Sequence, residues 1–371
     1  MLDFRLDTEQ QMLTDAIGRY SKEMVRKVYR DAEEDGELPD DVVQAGWEMG
    51  VLPTGIPAEF GGFGEYSAVT GAVATEEFAW GDLALSLKVM TPNLVAVPLM
   101  LAGTEAQKAA YLPAFCDETM PKMTAALTEP VIQFNPHRLA TTARRELADT
   151  AVADADGYVL NGSKTFVPLA ADAEMILVYA NENGKTEAFL VPADAEGVVV
   201  EKKDRLMGIK ALPTYMVLLN AVRIPLENKL GGVEGSDFGL ILAHSRVALG
   251  AAAVGVARAG FEYSRDYAKQ RVQFGEPIAH RQSIAFMLAD MATDVDEARL
   301  MVWEAAWLLD QGKDAAKETA IMKNYIDRLV VNVADRALQV LGGYGYIREY
   351  PVELWLRNAR GFATFDGLAM V

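Results

Sequence analysis

A chain of 371 residues can bury a sizeable core in two or three domains, and at 51% hydrophobic and 24% charged it has the make-up of an ordinary soluble protein. Its net charge of −18 argues against nucleic-acid and anionic-membrane partners, while leaving room for an anionic coenzyme gripped by a local Arg. With Cys116 alone, an intrachain disulfide and a thiolate metal cluster are excluded, and His137, His244 and His280 are too scattered in sequence to suggest a His-based metal site.

The first residues lack the apolar core of a signal peptide. Apolar runs such as 94–101 fall well short of the ~20 residues that span a bilayer. Together with the single cysteine, this predicts a cytoplasmic protein without membrane insertion. Leu13, Ile17, Tyr20 and Met24 lie at helical spacing after Thr8, a candidate N-cap. The acidic run Asp31, Glu33, Glu34, Asp35, Glu37 reads as a solvated end of that helix. Pro39-Asp-Asp41 starts another, and Pro57-Ala-Glu-Phe-Gly-Gly-Phe-Gly64 is a glycine-rich turn.

Near residue 120 the texture changes to short strand-like runs at 158–160, 175–179, 188–191, 198–201 and 215–222. Asp156-Gly157, Asn161-Gly162 and Asn183-Gly184 read as the turns between them. Without helical insertions, such spacing predicts an antiparallel sheet or barrel rather than a parallel α/β sheet. From about Asp237 the helical period returns. The Ala-rich stretch 247–255 predicts close helix packing, and long helices at 281–311 and 315–340 complete a bundle. The fold class is mostly α with a β-domain. It comprises an N-terminal helical domain (1–120), a middle antiparallel, barrel-like β-domain (121–232) and a C-terminal four-helix bundle (233–371).

Several motifs fall in register along this frame. They are Pro57-x-x-Phe-Gly-Gly-x-Gly64, Leu127-Thr-Glu-Pro130, Asn161-Gly-x-Lys164 and Ile224-Pro-x-Glu-Asn228. Arg271-x-x-Phe-Gly-x-Pro277, Gln339-x-x-Gly-Gly-Tyr-Gly345 and Arg348-Glu-Tyr-Pro351 follow. Singly each is weak; together they resemble the acyl-CoA dehydrogenase family across essentially the whole chain.

The resemblance implies FAD-dependent α,β-dehydrogenation of acyl-CoA or another acyl thioester. A carboxylate removes the α-proton while the β-hydrogen leaves as hydride to flavin N5, an acceptor that no side chain supplies. By resemblance the base is Asp366, in Thr-Phe-Asp-Gly, and Arg246 helps hold the site around it. Without that role Asp366 would be a turn acid and Arg246 a partner in a surface ion pair. Leu127, Thr128, Phe166 and Val167 would meet the flavin ring. From a neighbouring subunit, Arg271, Phe274, Gln339, Gly342 and Gly343 would take the adenosine diphosphate end. A dimer or tetramer, of itself or with a paralogous subunit, and an electron-transfer flavoprotein acceptor are implied likewise. Leu87, Met90, Leu94 and Val95 read as either pocket lining or core.

The chain also departs from the family pattern. Asp366 replaces the usual Glu, withdrawing the carboxylate by roughly 1.5 Å. Gln133-Phe134-Asn135 stands where Gly-Ser-Asp is usual, and Pro168 where a hydroxyl would reach the flavin. Each lost contact is worth ~1–3 kcal/mol where buried. Three readings therefore stand. The chain is a diverged dehydrogenase with its own FAD, a subunit lending flavin contacts to a partner, or an inactive structural homologue. A flavin monooxygenase on the same fold is disfavoured by the acid at 366.

Overall fold

In the computed structural model, which describes residues 5–64, 66–132, 134–146 and 156–371, the cap of the first helix lies one residue before the expected one. Asp7 rather than Thr8 caps α1 (Thr8–Tyr20): its carboxylate accepts from the Gln10 N–H, and Gln10 reaches back to complete a capping box. A carboxylate serves better there because it also faces the positive end of the helix dipole. A π-turn (Ser21–Val25) leads into α2 (Arg26–Asp35). The acidic run at its end is only partly solvated. Glu33 is buried, accepts from the Lys210 N–H at 2.8 Å and pairs with Arg357. The helical layer continues as α3 (Asp40–Trp47), α4 (Val51–Gly55), α5 (Ala68–Gly81), α6 (Leu83–Val89), α7 (Asn93–Ala102) and α8 (Glu105–Tyr111).

Among the described residues the middle region holds seven strands in one sheet: β1 (Met123–Ala126), β2 (Thr142–Glu146), β3 (Gly157–Pro168), β4 (Met175–Glu182), β5 (Lys185–Pro192), β6 (Val198–Lys203) and β7 (Thr214–Pro225). Their order is β1-β4-β2-β3-β7-β6, with β5 also on β4. The sheet is mixed where an antiparallel one was expected. β1 runs parallel to β4 from Met123↔Met175 to Ala126↔Val178, and β2 meets β4 in parallel at Thr142↔Asn181. Both strands were missed in the sequence because β1 has four residues and β2 exposes all but Ala143.

Asn183-Gly184 is the expected hairpin turn, with positive φ at both residues. Asn161-Gly162 is instead a bulge inside β3, where Asn161 Oδ1 accepts from the Ala221 N–H at 2.9 Å. A Cβ on Gly162 would lie 2.4 Å from Thr141 Oγ1, so a turn-like dipeptide is spent on close approach of two strands.

The C-terminal region has three long helices, α9 (Phe238–Gln270), α10 (Gln282–Asp310) and α11 (Ala316–Leu341), and a shorter α12 (Val352–Ala359). Its small residues pack as expected: a Cβ on Gly250 would meet Val302 Cγ2 at 3.0 Å, and one on Gly255 would meet the Glu76 carbonyl at 2.4 Å. α9 is long and apolar enough to cross a bilayer, but 89% of its most apolar window is buried inside the chain, as in a central core helix. A continuous core joins α1 to α6 with α9 to α12, so loops at the junction with the sheet are fixed from both sides.

Candidate active site

Past α12 the chain makes a short 3₁₀ turn (Phe362–Thr364) and reaches Asp366. Phe365 is buried and meets the Phe362 ring edge-on at 6.2 Å, which fixes the peptide carrying Asp366. Gly367 has φ 74°, and a Cβ there would strike the Leu127 side chain at 2.8 Å, so glycine is required twice over. Thr128 Oγ1 donates to the Asp366 carbonyl at 2.9 Å. The loop is thereby pinned to the segment that follows β1.

Arg246 is no surface residue. Its Nε stands 3.7 Å from Asp366 Oδ1, with the two side chains 20% and 17% exposed. Both atoms are buried and neither has a hydrogen-bond partner among the described residues. A buried carboxylate oxygen left without a donor is costly, and such groups concentrate where a reacting molecule completes them. Behind the pair, Lys323 Nζ bonds Asp327 at 2.6 Å and the Phe362 carbonyl at 2.8 Å. Burial pushes the Asp327 carboxyl up despite Lys323, and the Asp366 charge adds to the rise.

Leu127 and Thr128 are nearly buried and held from behind by an ion pair. Lys164 Nζ donates to Glu129 Oε1 at 2.9 Å and to the Leu127 carbonyl at 3.1 Å. The two charged side chains are 0% and 2% exposed. Burial pushes the Lys164 ammonium down to about 8 against the pull of Glu129. For Glu129, burial is outweighed by Lys164 and by the amides of Ala140 and Thr141, which hold its carboxyl below its ordinary range. The Thr165 N–H bonds the Thr128 carbonyl at 2.9 Å, bringing β3 alongside.

Phe166 then takes φ 54°, a strained value for an aromatic residue, within an irregular stretch between Lys164 and Val167. Its ring packs at the edge of the helical core, while the Val167 side chain is buried in the sheet's own core. Val167 therefore offers only its main chain to a ligand. Pro168 is buried opposite Thr214, and Phe134 packs half-buried on apolar neighbours. Gln133 lies outside the described residues.

A second group of site residues meets elsewhere. Arg271, Phe274, Gly342 and Gly343 border a cleft of about 790 Å³ formed entirely by residues 267–347. Phe274 and Gly275 are the tip of a hairpin between two short strands, β8 (Val272–Gln273) and β9 (Glu276–Pro277). The Arg271 guanidinium lies 5.2 Å from the Tyr344 ring centroid and makes no ion pair among the described residues. A Cβ added at Gly342 or Gly343 would meet nothing within 4 Å. An uncommitted guanidinium over an open backbone floor fits the phosphates of a dinucleotide. Gln339 is exposed and borders no part of this cleft; its carbonyl accepts from the Gly342 N–H. Leu127, Thr128 and Phe166 do not border it either.

Leu87, Met90, Leu94 and Val95, read as either pocket lining or core, are all buried. Of these, Leu94 also borders a small cavity near Gly367. Sequence reading assigned no role to Glu129 or Lys164, although both lie inside motifs. Nothing marked Lys323, Asp327, Tyr179 or Ser245.

His244, one residue from Ser245, is 2% exposed, with Nδ1 2.7 Å from Tyr66 Oη and 2.9 Å from the main-chain oxygen of Val371. Burial pushes its imidazole down to about 4, only partly opposed by the Val371 contact. The unfolded chain therefore binds a proton that the folded one refuses, and stability is lost as pH falls from about 6.5 towards 4. His244→Asn is expected to remove about 3 kcal/mol of that acid sensitivity. Urea midpoints of the two proteins at pH 7 and pH 4.5 check this; parallel losses would rule it out.

Comparison with known proteins agrees with this frame. Models of the N-terminal, middle and C-terminal domains of acyl-CoA dehydrogenases match residues 7–119, 124–222 and 239–370. The chain is 34% identical over 358 residues to the caffeyl-CoA reductase-Etf complex subunit CarC of Acetobacterium woodii, covering 94% of this chain and 92% of that one. It is 34% identical over 380 residues to the probable acyl-CoA dehydrogenase YngJ of Bacillus subtilis, covering 100% and 97%. Among solved structures, butyryl-CoA dehydrogenase from Megasphaera elsdenii superposes with a TM-score of 0.88 at 29% identity, covering 98% of this chain and 96% of that one.

Proposed function

Because the chain belongs to the acyl-CoA dehydrogenase family, we propose that it catalyses FAD-dependent α,β-dehydrogenation of an acyl thioester, with Asp366 as the base. The observation that carries this reading is the Asp366 carboxylate, buried beside Arg246 with one oxygen lacking a donor and its main chain tied to Thr128. Bound FAD supplies the two-electron acceptor for the hydride. Asp366 takes the α-proton, and Arg246, with Nε 3.7 Å from Oδ1, holds a positive charge beside the carboxylate. Leu127 and Thr128 orient the ligands, with Lys164 and Glu129 keeping them in place.

The adenosine diphosphate end of the cofactor falls to the cleft of Arg271, Gly342 and Gly343. By family resemblance a second subunit completes each flavin site in a dimer or tetramer; the lining of this cleft by residues 267–347, apart from those beside Asp366, supports that reading. Electrons leave through an electron-transfer flavoprotein; the Acetobacterium woodii relative, named as a subunit of a caffeyl-CoA reductase-Etf complex, supports this.

Arg271→Ala is expected to weaken FAD binding about 10- to 100-fold, the loss of a charge-assisted contact to phosphate. Released-flavin titration of the purified variant measures it, and unchanged occupancy would remove Arg271 from the site. Wild type carrying about one flavin per subunit and bleached by acyl-CoA without oxygen supports the dehydrogenase.

A second reading rests on Phe134 and Pro168, neither of which offers a hydroxyl. In it this chain lends its Arg271 cleft to a paralogous partner while its own flavin half stands weak. A protein that stays colourless alone with added FAD, and turns yellow only when co-purified with that partner, would favour it.

A further inference from the structure

Two cations line the cleft of about 790 Å³, and they are spent differently. Arg281 is paired with Glu276 at 3.0 Å. Arg271 has neither an ion pair nor a side-chain hydrogen bond among the described residues. Its main chain is fixed on both sides: the N–H donates to the Tyr267 carbonyl at 2.8 Å, and the carbonyl accepts from the Ile278 N–H at 2.9 Å. The side chain has one directional contact, the Tyr344 ring, whose centroid lies 5.2 Å from the guanidinium carbon. That is within reach of a cation–π attraction, in which the negative face of the ring holds the flat guanidinium while its N–H edges stay free.

The Tyr344 ring is itself held. It meets the Tyr350 ring at 5.4 Å, and Tyr350 meets Tyr267 edge-on at 6.3 Å. Tyr267 is the residue whose carbonyl takes the Arg271 N–H, so the three rings close a loop back to the root of the Arg271 side chain. The Tyr350 carbonyl accepts from Arg30 Nη2 at 3.0 Å, which ties the stack to α2. The main chain of Tyr344 lies in the 3₁₀ turn Gly342–Tyr346, packed so closely on α11 that a Cβ on Gly345 would sit 2.3 Å from the Leu338 carbonyl. Tyr346 shares this turn, but it is 84% exposed against 40% for Tyr344 and borders no part of the cleft. Place, not residue type, singles out Tyr344.

We propose that Tyr344 is a positioning residue for the cofactor, holding the Arg271 guanidinium ready for the phosphates before the dinucleotide arrives. This rests on the reading of the cleft as the seat of the adenosine diphosphate end of FAD. A long arginine left to itself loses rotamer freedom when it grips a phosphate; one already laid on a ring loses less, and binding is tighter by the difference.

The test is a double-mutant cycle on the deflavinated full chain titrated with FAD. Tyr344→Leu is expected to raise Kd about three- to ten-fold, and Tyr344→Phe, which keeps the ring, to restore it to within about twofold of wild type. In an Arg271→Ala background Tyr344→Leu is expected to add no further loss, because the residue acts through Arg271. Replacement of Tyr344 by pentafluorophenylalanine keeps a ring of similar shape but reverses its quadrupole, and is expected to weaken FAD binding as Leu does. Three results would each overturn the inference: Tyr344→Leu within twofold of wild type, an equal loss in both Arg271 backgrounds, or a fluorinated ring that binds FAD as Phe does. An equal loss in both backgrounds would mean that the ring touches the ligand or supports the fold directly. Arg271→Ala with unchanged Kd would instead remove the cleft from the cofactor site, and wild type that binds no FAD would remove both readings.

Discussion

Asp366→Asn is expected to slow anaerobic bleaching of the flavin by acyl-CoA about 10²- to 10⁴-fold while FAD remains bound. Asn keeps the size and shape of the side chain but cannot take a proton. The Thr128 bond runs to the main-chain carbonyl of residue 366, so the loop stays pinned in the variant. Phe365 and Gly367 are untouched, and packing of the loop is preserved. Any rate loss therefore reports chemistry rather than misfolding. Asp366→Glu gives the companion measurement, since one more methylene advances the carboxylate by about 1.5 Å. If the pocket suits a substrate held close to the shorter base, the Glu variant is slower than wild type on that substrate. Full activity in Asp366→Asn would remove the residue from the mechanism.

Lys164→Met is expected to cost about 3–5 kcal/mol of stability, because it strands the Glu129 carboxylate in a dry interior. The 0% and 2% exposure of the two side chains places this pair in the buried class, where removing one partner hurts far more than losing a surface bridge. Lys164→Met/Glu129→Gln should recover part of the loss. No charge is left buried, but the single amide oxygen accepts from only one of the Ala140 and Thr141 amides, which bond separate oxygens of Glu129. Urea unfolding curves of the single and double variants measure the coupling. A single-variant loss below about 1 kcal/mol would contradict the buried-pair argument. The Leu127 carbonyl also loses its donor in Lys164→Met, so flavin affinity should fall alongside stability.

The element order was legible in the sequence, because helical period, strand runs and turn residues are local properties of a few neighbouring side chains. The helices expected at 281–311 and 315–340 are Gln282–Asp310 and Ala316–Leu341. Asn183-Gly184 turns a hairpin as its chemistry dictates. The residues around 127, 246, 271, 342 and 366 were singled out because their motifs resemble those of the family, not by any local physical signal.

Tertiary structure alone decided which of them meet. Arg246 and Asp366 are distant in sequence, and only the return of the chain past α12 sets them 3.7 Å apart. Asn161-Gly162 carries a turn signature, yet the approach of Thr141 makes it a bulge. β1 and β2 had too few apolar residues to be seen, and pairing with β3 and β4 makes them strands. Gln339 kept its motif but borders no part of the cleft of Arg271. Nothing local distinguishes Tyr179 or Ser245 from ordinary core residues, and only the packed chain shows that their hydroxyls lack a partner among the described residues. Local sequence fixes backbone preference and chemical type, whereas pairing, burial and unmet hydrogen bonds arise between segments far apart in the chain and exist only once it has packed.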